Sequence, residues 1–366
     1  MDLYTLSSNF LPSVDIDQFV SAIWTERYSA AGDVQLVVPA TKDNIATLAD
    51  GTFLGLRGSK EVMILETQSI ENGLMTIVGS DLLSFLRNRY VWSLNSGEIG
   101  DYVSWGYPTG KIIADLVSAM VIAPVPFSGS SVDNLNLNWD AEVIPYLSLG
   151  PVDMSGPSDS TNKVTIPIGP LYDGISKAAT DAGIGLSLYL ESADRLLGYS
   201  LKFSTYRGVD HTTGSSFPLV RLTPELDSIQ DLKEVRSIQD YKNVVYVLYN
   251  GIVTKHLLDP TAPEPEGFDR RVLIYDAASE ADAYTNFTDF HNQAAKHAFA
   301  AHSYIQALDG ESSPNSDYVY GVHYGLGDLI EIEGLTGTIG KARVTEYIRS
   351  QDKTGEKAYP TISVVT

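Results

Sequence analysis

Mainly β with some α is the fold class that this chain of 366 residues predicts. Three observations carry the prediction. Short apolar runs bounded by Gly, Asn and Pro fill the first hundred residues and return toward the end, which is how strands and their turns read. Three-and-four spacing of apolar residues, the mark of a helix with one buried face, is confined to a few segments between them. The composition, 43 % hydrophobic and 19 % charged, supports an ordinary buried core in two to four domains.

The first run, "QFVSAIWTERYSAAGDVQLVVP", places Trp24 and Tyr28 on an extended segment, turns at Gly32 and ends a second strand at Pro39. "GTFLGLRG" adds a strand. "EVMILETQSIENGLMTIVG" adds a hairpin at Glu71-Asn72-Gly73, where Asn-Gly accepts the positive φ of a tight turn. In "SDLLSFLRNRYV" the period changes: Leu82, Leu83, Leu86 and Tyr90 follow helical spacing, with Ser80 placed to cap the first turn. "TGKIIADLVSAMV" sets Ile112, Ile113, Leu116, Val117 and Met120 on one helical face. "GPLYDGISKAATDAG" begins a helix at Pro170 and ends it at Gly183, a left-handed cap. "PFSGSSVDNLNLNWD" and "GPVDMSGPSDSTNK" are polar loops.

After Gly183, "GLSLYLESADRLLGYSLKFSTYRGVD" reads as a hairpin. The strand in "DYKNVVYVLYNG" is apolar on both faces, with Val245, Val247 and Tyr249 on one side and Val244, Tyr246 and Leu248 on the other. That pattern demands cover on both sides. "DPTAPEPEG" is excluded from regular structure by its prolines. A long helix follows, with a capping box at Ser279 and Asp282 and a seam of Tyr284, Phe287, His291, Ala294, Ala298, Ala301 and Ile305. Alanine on a seam means close approach of whatever packs there. "YVYGVHYGLGDLIEIEG", "TGTIGKARVTEYIRS" and "KAYPTISVV" end the chain in strands.

The formal net charge of −21 opposes binding DNA by phosphate neutralisation. It suits solubility by like-charge repulsion, or a lumen that nucleic acid passes without sticking. The absence of cysteine removes disulfides, thiol nucleophiles and thiolate metal sites. "MDLYTLSSNF" has no basic region followed by an apolar run, and the apolar run Ile112 to Phe127 is broken by Asp115, Ser118 and prolines. The expectation is a cytoplasmic origin without stable membrane insertion.

No catalytic, cofactor-binding or metal-binding residue is assigned. His291, His297 and His302 share the expected helix, but only His291 and His302 return to one side, three turns apart and too far for one ion. His211, His256 and His323 stand singly. Glu331 and Glu333, preceded by Asp328, share one face of a strand as a carboxylate pair would, yet alternation with Ile330 and Ile332 is equally a half-solvated strand. Asn286-Phe287-Thr288 fits a glycosylation sequon inside the expected helix. Phosphate-loop, dinucleotide, zincin and nucleophile-elbow motifs are missing. The chain is expected not to be an enzyme.

Several separated stretches carry a resemblance. "IWTERYSAAGDVQLVVP", "LMTIVGSDLLSFLRNRYV", "STYRGVD" with "PLVRLTPELDSIQDLKEVRSIQDYKNVVYVLYNG", and "YGLGDLIEIEG" resemble, in order, the siphophage tail-tip or baseplate-hub family, whose fold is shared with N-terminal parts of tail-associated lysozyme proteins. The stretch after Tyr206 departs from the pattern, with "GVDHTT" where an arginine would follow the aspartate. The resemblance implies two small β-barrel-like tube domains and two peripheral α+β domains in a ring-forming trimer. Its expected boundaries are 1–97 for the first tube domain and 98–183 for a peripheral domain. The second tube domain takes 184–250 with 318–366, and a second peripheral domain with the long helix takes 251–317. It further implies a homotrimeric structural virion protein at the distal end of a phage tail, assembled in the host cytoplasm, with no cofactor. Implied partners are a distal tail protein ring, the tape measure protein and tail fibre or receptor-binding tip proteins. DNA would pass its channel without specific binding. A peptidoglycan-cleaving domain, which some hubs carry after the barrel, is not expected, since the chain ends six residues after Pro360. The alternative is a carbohydrate-binding module that recognises the host surface, using Trp92, Trp105, Tyr107 and Trp139.

Overall fold

The computed structural model describes residues 1–364 except 92, 96–97, 125–138, 160–161, 193–198, 250, 279–286, 314–315, 336 and 338. The chain divides into two compact units, Met1–Asp231 with Gly310–Thr366, and Leu232–Asp309. The strands Ile229–Ser237 and Ile305–Ser312 pair with each other where the chain passes from one unit to the other and back.

Seven N-terminal strands, Leu3–Leu6, Pro12–Ile16, Ser21–Arg27, Asp33–Pro39, Phe53–Leu56, Val62–Glu71 and Leu74–Asp81, are all antiparallel, and the order crosses over where Asp33–Pro39 pairs with Leu74–Asp81 and Phe53–Leu56 with Leu3–Leu6. Alternation sends Trp24, Val34, Leu36, Val38, Leu54, Met63, Leu65, Met75 and Ile77 into one fully buried core. Both expected hairpins are present. Ala22 faces Leu36 and Trp24 faces Val34, and Asn72 and Gly73 turn the second hairpin with φ of 51° and 78°.

These strands do not close on themselves. Ile339–Asp352 joins them to the C-terminal strands, because its second half pairs with Ser21–Arg27 and its first half with Leu329–Glu333. Gly355–Val364 covers its other edge, with the register shifting between Val344 and Glu346. The result is one open sheet of eleven strands, of which Arg221–Leu222 is an edge strand parallel to Leu329–Glu333. Among the described residues no ladder closes a barrel, so the expected pair of separate small barrels is replaced by a continuous sheet. The physical cause is the length of Ile339–Asp352: 14 residues with a bulge can bend and serve two partners in succession.

The second core of this unit lies under two helices, Thr109–Val117 and Leu171–Ala182. Ile112, Ile113, Leu116, Val117 and Met120 are buried as their spacing predicts. Pro170 is the residue before the second helix, and Gly183 ends it with φ 63°. The hairpin Gly185–Ser192 and Tyr199–Tyr206 was grouped by the resemblance with the C-terminal strands. It takes Leu147–Leu149 as its third strand and sends Leu186, Leu188, Leu201 and Phe203 into this helix core. "SDLLSFLRNRYV" yields a 3₁₀ turn, Ser84–Asn88, instead of an α-helix. Ser80 is not its cap: it lies in the strand Leu74–Asp81, and its hydroxyl donates to Glu66. Asp81 caps in its place, accepting from the amides of Leu83 at 2.9 Å and Ser84 at 3.3 Å, while Tyr90 is exposed.

In the Leu232–Asp309 unit, Val244–Tyr249 is the middle strand of three, antiparallel to Ile252–Leu257 and parallel to Val272–Asp276. It does not join the C-terminal strands. The helix Phe287–Ala301 lies on one face, where Val245 and Val247 meet Phe290, Ala294, Ala295 and Ala298. The alanine seam therefore has its partner: small side chains let the helix approach the strand. The expected capping box at Ser279 and Asp282 and the seam position Tyr284 lie outside the described residues. Among the described residues no helix is long and apolar enough to cross a membrane.

Candidate functional site

The separated motifs meet at one side chain. Tyr28, which follows the Trp24 strand, is 2 % exposed, and its ring fills a cradle made by glycines distant in sequence. A Cβ on Gly327 would stand 2.5 Å from Tyr28 Cδ2 and 2.9 Å from Cζ, and one on Gly185 would stand 2.6 Å from Tyr28 Cδ2. Gly208 is pressed just as closely onto the Gly327 backbone. The Tyr28 hydroxyl donates toward the carbonyl of Gly183 at 3.0 Å and accepts from the amide of Gly208 at 3.3 Å. Tyr206 packs edge-on at 5.3 Å, and the Arg343 guanidinium lies 5.3 Å above the Tyr28 ring.

Neighbouring charges fix the loops around it. Asp328, from "YGLGDLIEIEG", accepts from the amides of Val209 and Gly325, both at 2.6 Å, and stands 3.5 Å from His211 Nε2. Arg343 donates to the carbonyl of Gly327 at 2.8 Å. Arg27 bonds Glu346 at 2.6 Å and the carbonyl of Ala31 at 2.9 Å, tying the first hairpin to the long C-terminal strand. These bonds knit the segments of the resemblance into one buried joint, whose role is positional.

Two carboxylates beside the joint are held protonated more readily than usual. Burial pushes Asp81 up to about 7, against the amides of Gly32, Ser84 and Leu83, which favour the charged form. Glu61 is raised well above the usual range by burial and then by the charges of Asp81 and Glu26, with a hydrogen bond from Ser187 acting the other way.

The carboxylate pair considered from the sequence is committed elsewhere. Glu331 is 4 % exposed and accepts from the Thr213 amide at 2.8 Å and from Arg221 at 2.8 and 2.6 Å. Burial raises its pKa, but these bonds outweigh burial and hold it below the ordinary range. Glu333 shares Arg221 at 4.0 Å. A carboxylate clamped this way is a structural anchor, not a proton donor.

Of the six histidines, His291 and His297 lie on the helix, and His302, expected there too, lies just past its end. A link between two of them was not legible: Thr254 Oγ1 lies 2.7 Å from His291 Nδ1 and 2.9 Å from His256 Nε2. Strand pairing puts Thr254 and His256 on the helix-covered face, so the period-2 pattern held the signal, but only with the helix in place. Burial lowers the pKa of both histidines, and for His256 the neighbouring His291 adds to it. Among the described residues no group of three or more His, Asp or Glu is arranged to hold a metal ion. Of the aromatics singled out, Trp105 is 59 % and Tyr107 51 % exposed, whereas Trp92 and the side chain of Trp139 lie outside the described residues. Asn286 of the sequon lies outside them as well.

This fold is that of phage tail proteins. It is similar along its whole length to the 43 kDa tail protein of prophage MuSo2 from Shewanella oneidensis, with TM-score 0.54, 12 % identity, and coverage of 100 % of this chain and 97 % of that one. A tail protein from Neisseria meningitidis MC58 gives TM-score 0.53 at 13 % identity, covering 99 % and 95 % of the two chains. The prophage tail protein gp18 from Listeria monocytogenes EGD-e gives 0.51 at 12 %, covering 100 % and 95 %. No curated protein sequence matches. Residues 7–362 match the model of the Siphovirus ReqiPepy6 Gp37-like protein family, and the chain belongs to that family.

Proposed function

We propose that this protein is a structural component of the virion, a homotrimeric hub at the distal end of a phage tail. It joins the sixfold tail tube and distal tail ring to threefold tip components, and it forms and gates the channel through which DNA leaves. The observation that carries this reading is the extent of the likeness: the family match and the tail-protein fold both run through nearly the whole chain. The charge of −21 supports it, since an acidic lumen repels phosphate and lets DNA slide. In this reading the open eleven-stranded sheet supplies the tube wall, and its free edges pair or pack with neighbouring copies. The helix-covered layer up to Tyr206 and the Leu232–Asp309 unit are its peripheral domains. Expected partners are a distal tail protein ring, a tape measure protein and receptor-binding tip proteins.

Mass measurement in solution and negative-stain imaging, with the chain alone and mixed with its distal tail protein, test the reading. A ring of three copies around a central channel is the expected result. A chain that stays monomeric under both conditions overturns it.

A further inference from the structure

We infer that an apolar pocket at Phe10, Phe53 and Tyr146 receives Phe268 of a second copy of this chain, which rests on the homotrimer proposed above. The pocket has a volume of about 440 Å³. The buried Leu82, Leu188 and Leu201 also line it, and among the described residues no charged side chain does. The Phe10 ring lies 5.0 Å from Phe53, tilted by 38°, and meets Tyr146 edge-on at 6.4 Å. Rings set at such angles present both faces and edges, so a further ring finds favourable contacts among them. Phe10 and Tyr146 both hold a positive φ, 60° and 65°, which residues other than glycine rarely adopt. Strain of this kind gathers where the shape of a site is functional.

Phe268 is a bare ring at the end of the proline-rich loop, 104 % exposed. The loop that carries it is stiff. Pro263 and Pro265 fix their own φ, Glu264 pairs with Lys255 at 2.7 Å and also with Arg270, and Asn243 donates to the carbonyl of Asp269 at 2.7 Å. Gly267, with φ of 56°, makes the bend just before the ring. A ring held in place beforehand loses little freedom when it is buried, which is the property of an interface anchor.

The second copy is the occupant because one chain carries both halves of the contact. A phenyl ring suits a pocket of this volume and lining. Its neighbours Glu266 and Asp269 are acidic, and in a chain of net charge −21 much of the surface repels them, whereas an uncharged pocket does not. A knob and a socket at different places on one chain make a head-to-tail contact, the kind that closes a ring of three, while a self-complementary patch makes pairs.

Because the chain has no cysteine, single introduced thiols report on this contact without background. Copies carrying Phe268→Cys are mixed with copies carrying Ser8→Cys, an exposed serine of the pocket lining, and treated with a short bismaleimide. The mixture should give a cross-linked pair, and Val322→Cys, 75 % exposed, should give none in place of Phe268→Cys. Mass measurement against concentration, with the full chain alone and with its distal tail protein, reads the strength of assembly. Phe268→Ala should weaken it at least about thirtyfold, as loss of an anchor does. Ser8→Asp, which sets a carboxylate against Glu266 and Asp269, should weaken it more than Ser8→Lys. Both positions are exposed, so an unchanged melting curve excludes loss through unfolding. Rings of three copies that survive Phe268→Ala unweakened, or that cross-link no better through position 268 than through 322, overturn the inference and leave the hub reading standing. Chains that never associate overturn both.

Discussion

Gly327→Ala is the substitution whose cost the structure sets most directly. Gly327 has φ of 92°, so any side chain incurs about 1–2 kcal/mol of backbone strain there. Every near neighbour of the added methyl belongs to the Tyr28 ring, the second and third at 2.5 and 2.9 Å, and forcing a methyl into so packed a core costs about 1–3 kcal/mol more. The expected loss is about 2–5 kcal/mol. Tyr28→Ala alone opens a cavity and costs about 3–5 kcal/mol. In the double variant the methyl has room, so the steric part vanishes and the strain remains. The two losses should then fall short of additivity by about 1–3 kcal/mol. Urea titrations of the four proteins, read by the fluorescence of fully buried Trp24 in the same unit, measure this cycle. Additivity within about 0.5 kcal/mol would refute the argument that Tyr28 occupies the space Gly327 vacates.

Three further expectations rest on other residues. Asp81 and Glu61 have raised pKa values in the folded chain, so the folded state holds protons that the unfolded state releases, and their stabilisation is lost as pH rises through about 7. Stability contributed by Asp81 should therefore fall as pH rises from about 4 to about 7, by up to about 1.4 kcal/mol per pH unit for one proton, and Asp81→Asn should flatten the slope; a slope unchanged by that substitution contradicts it. His256 and His291 have lowered values, so their contribution is present above the unfolded pKa near 6.5 and is lost as pH falls below it. Proteolysis within Leu232–Asp309 should quicken below about pH 6 and be slowed by His256→Gln, and cleavage indifferent to pH would count against it. Finally, Val247→Asp should destabilise that unit by several times more than Tyr246→Lys. Val247 is wholly buried under the helix, whereas Tyr246 is half-buried and its hydroxyl meets Arg270 at 3.1 Å. Equal losses by circular dichroism would refute that asymmetry.

The apolar strand Val244–Tyr249 shows how far local reasoning reaches. Its two apolar faces were visible in sequence and predicted cover on both, which the structure shows on the Val245 and Val247 face, and the alanine seam correctly demanded a close partner. That each covers the other on one face was not visible, because the two segments are separated by the proline-rich loop and the strand Val272–Asp276. The remaining face carries Val253 and Ile274, 56 % and 68 % exposed, opposite Leu248 and Tyr246. Ser80 and Asp81 make a smaller lesson of the same kind. Both are good capping residues and both lie in the strand, and the choice between them was made by the direction of the side chain: Ser80 turns to Glu66 and Asp81 to the amides of Leu83 and Ser84.

What the sequence by itself determined is local: the mainly β character, the Asn72-Gly73 and Gly183 turns, the buried faces of the two short helices and the order of motifs that marks the family. These follow from the φ and ψ preferences of a few adjacent residues and from side-chain periodicity. Tertiary structure alone decided that Ile339–Asp352 pairs with Ser21–Arg27, that the sheet stays open, and that Gly185, Gly208 and Gly327 close around Tyr28. Those contacts join residues as far apart as Ala22 and Gln351. Their free energy lies in register and in steric fit, and neither is written into any one segment.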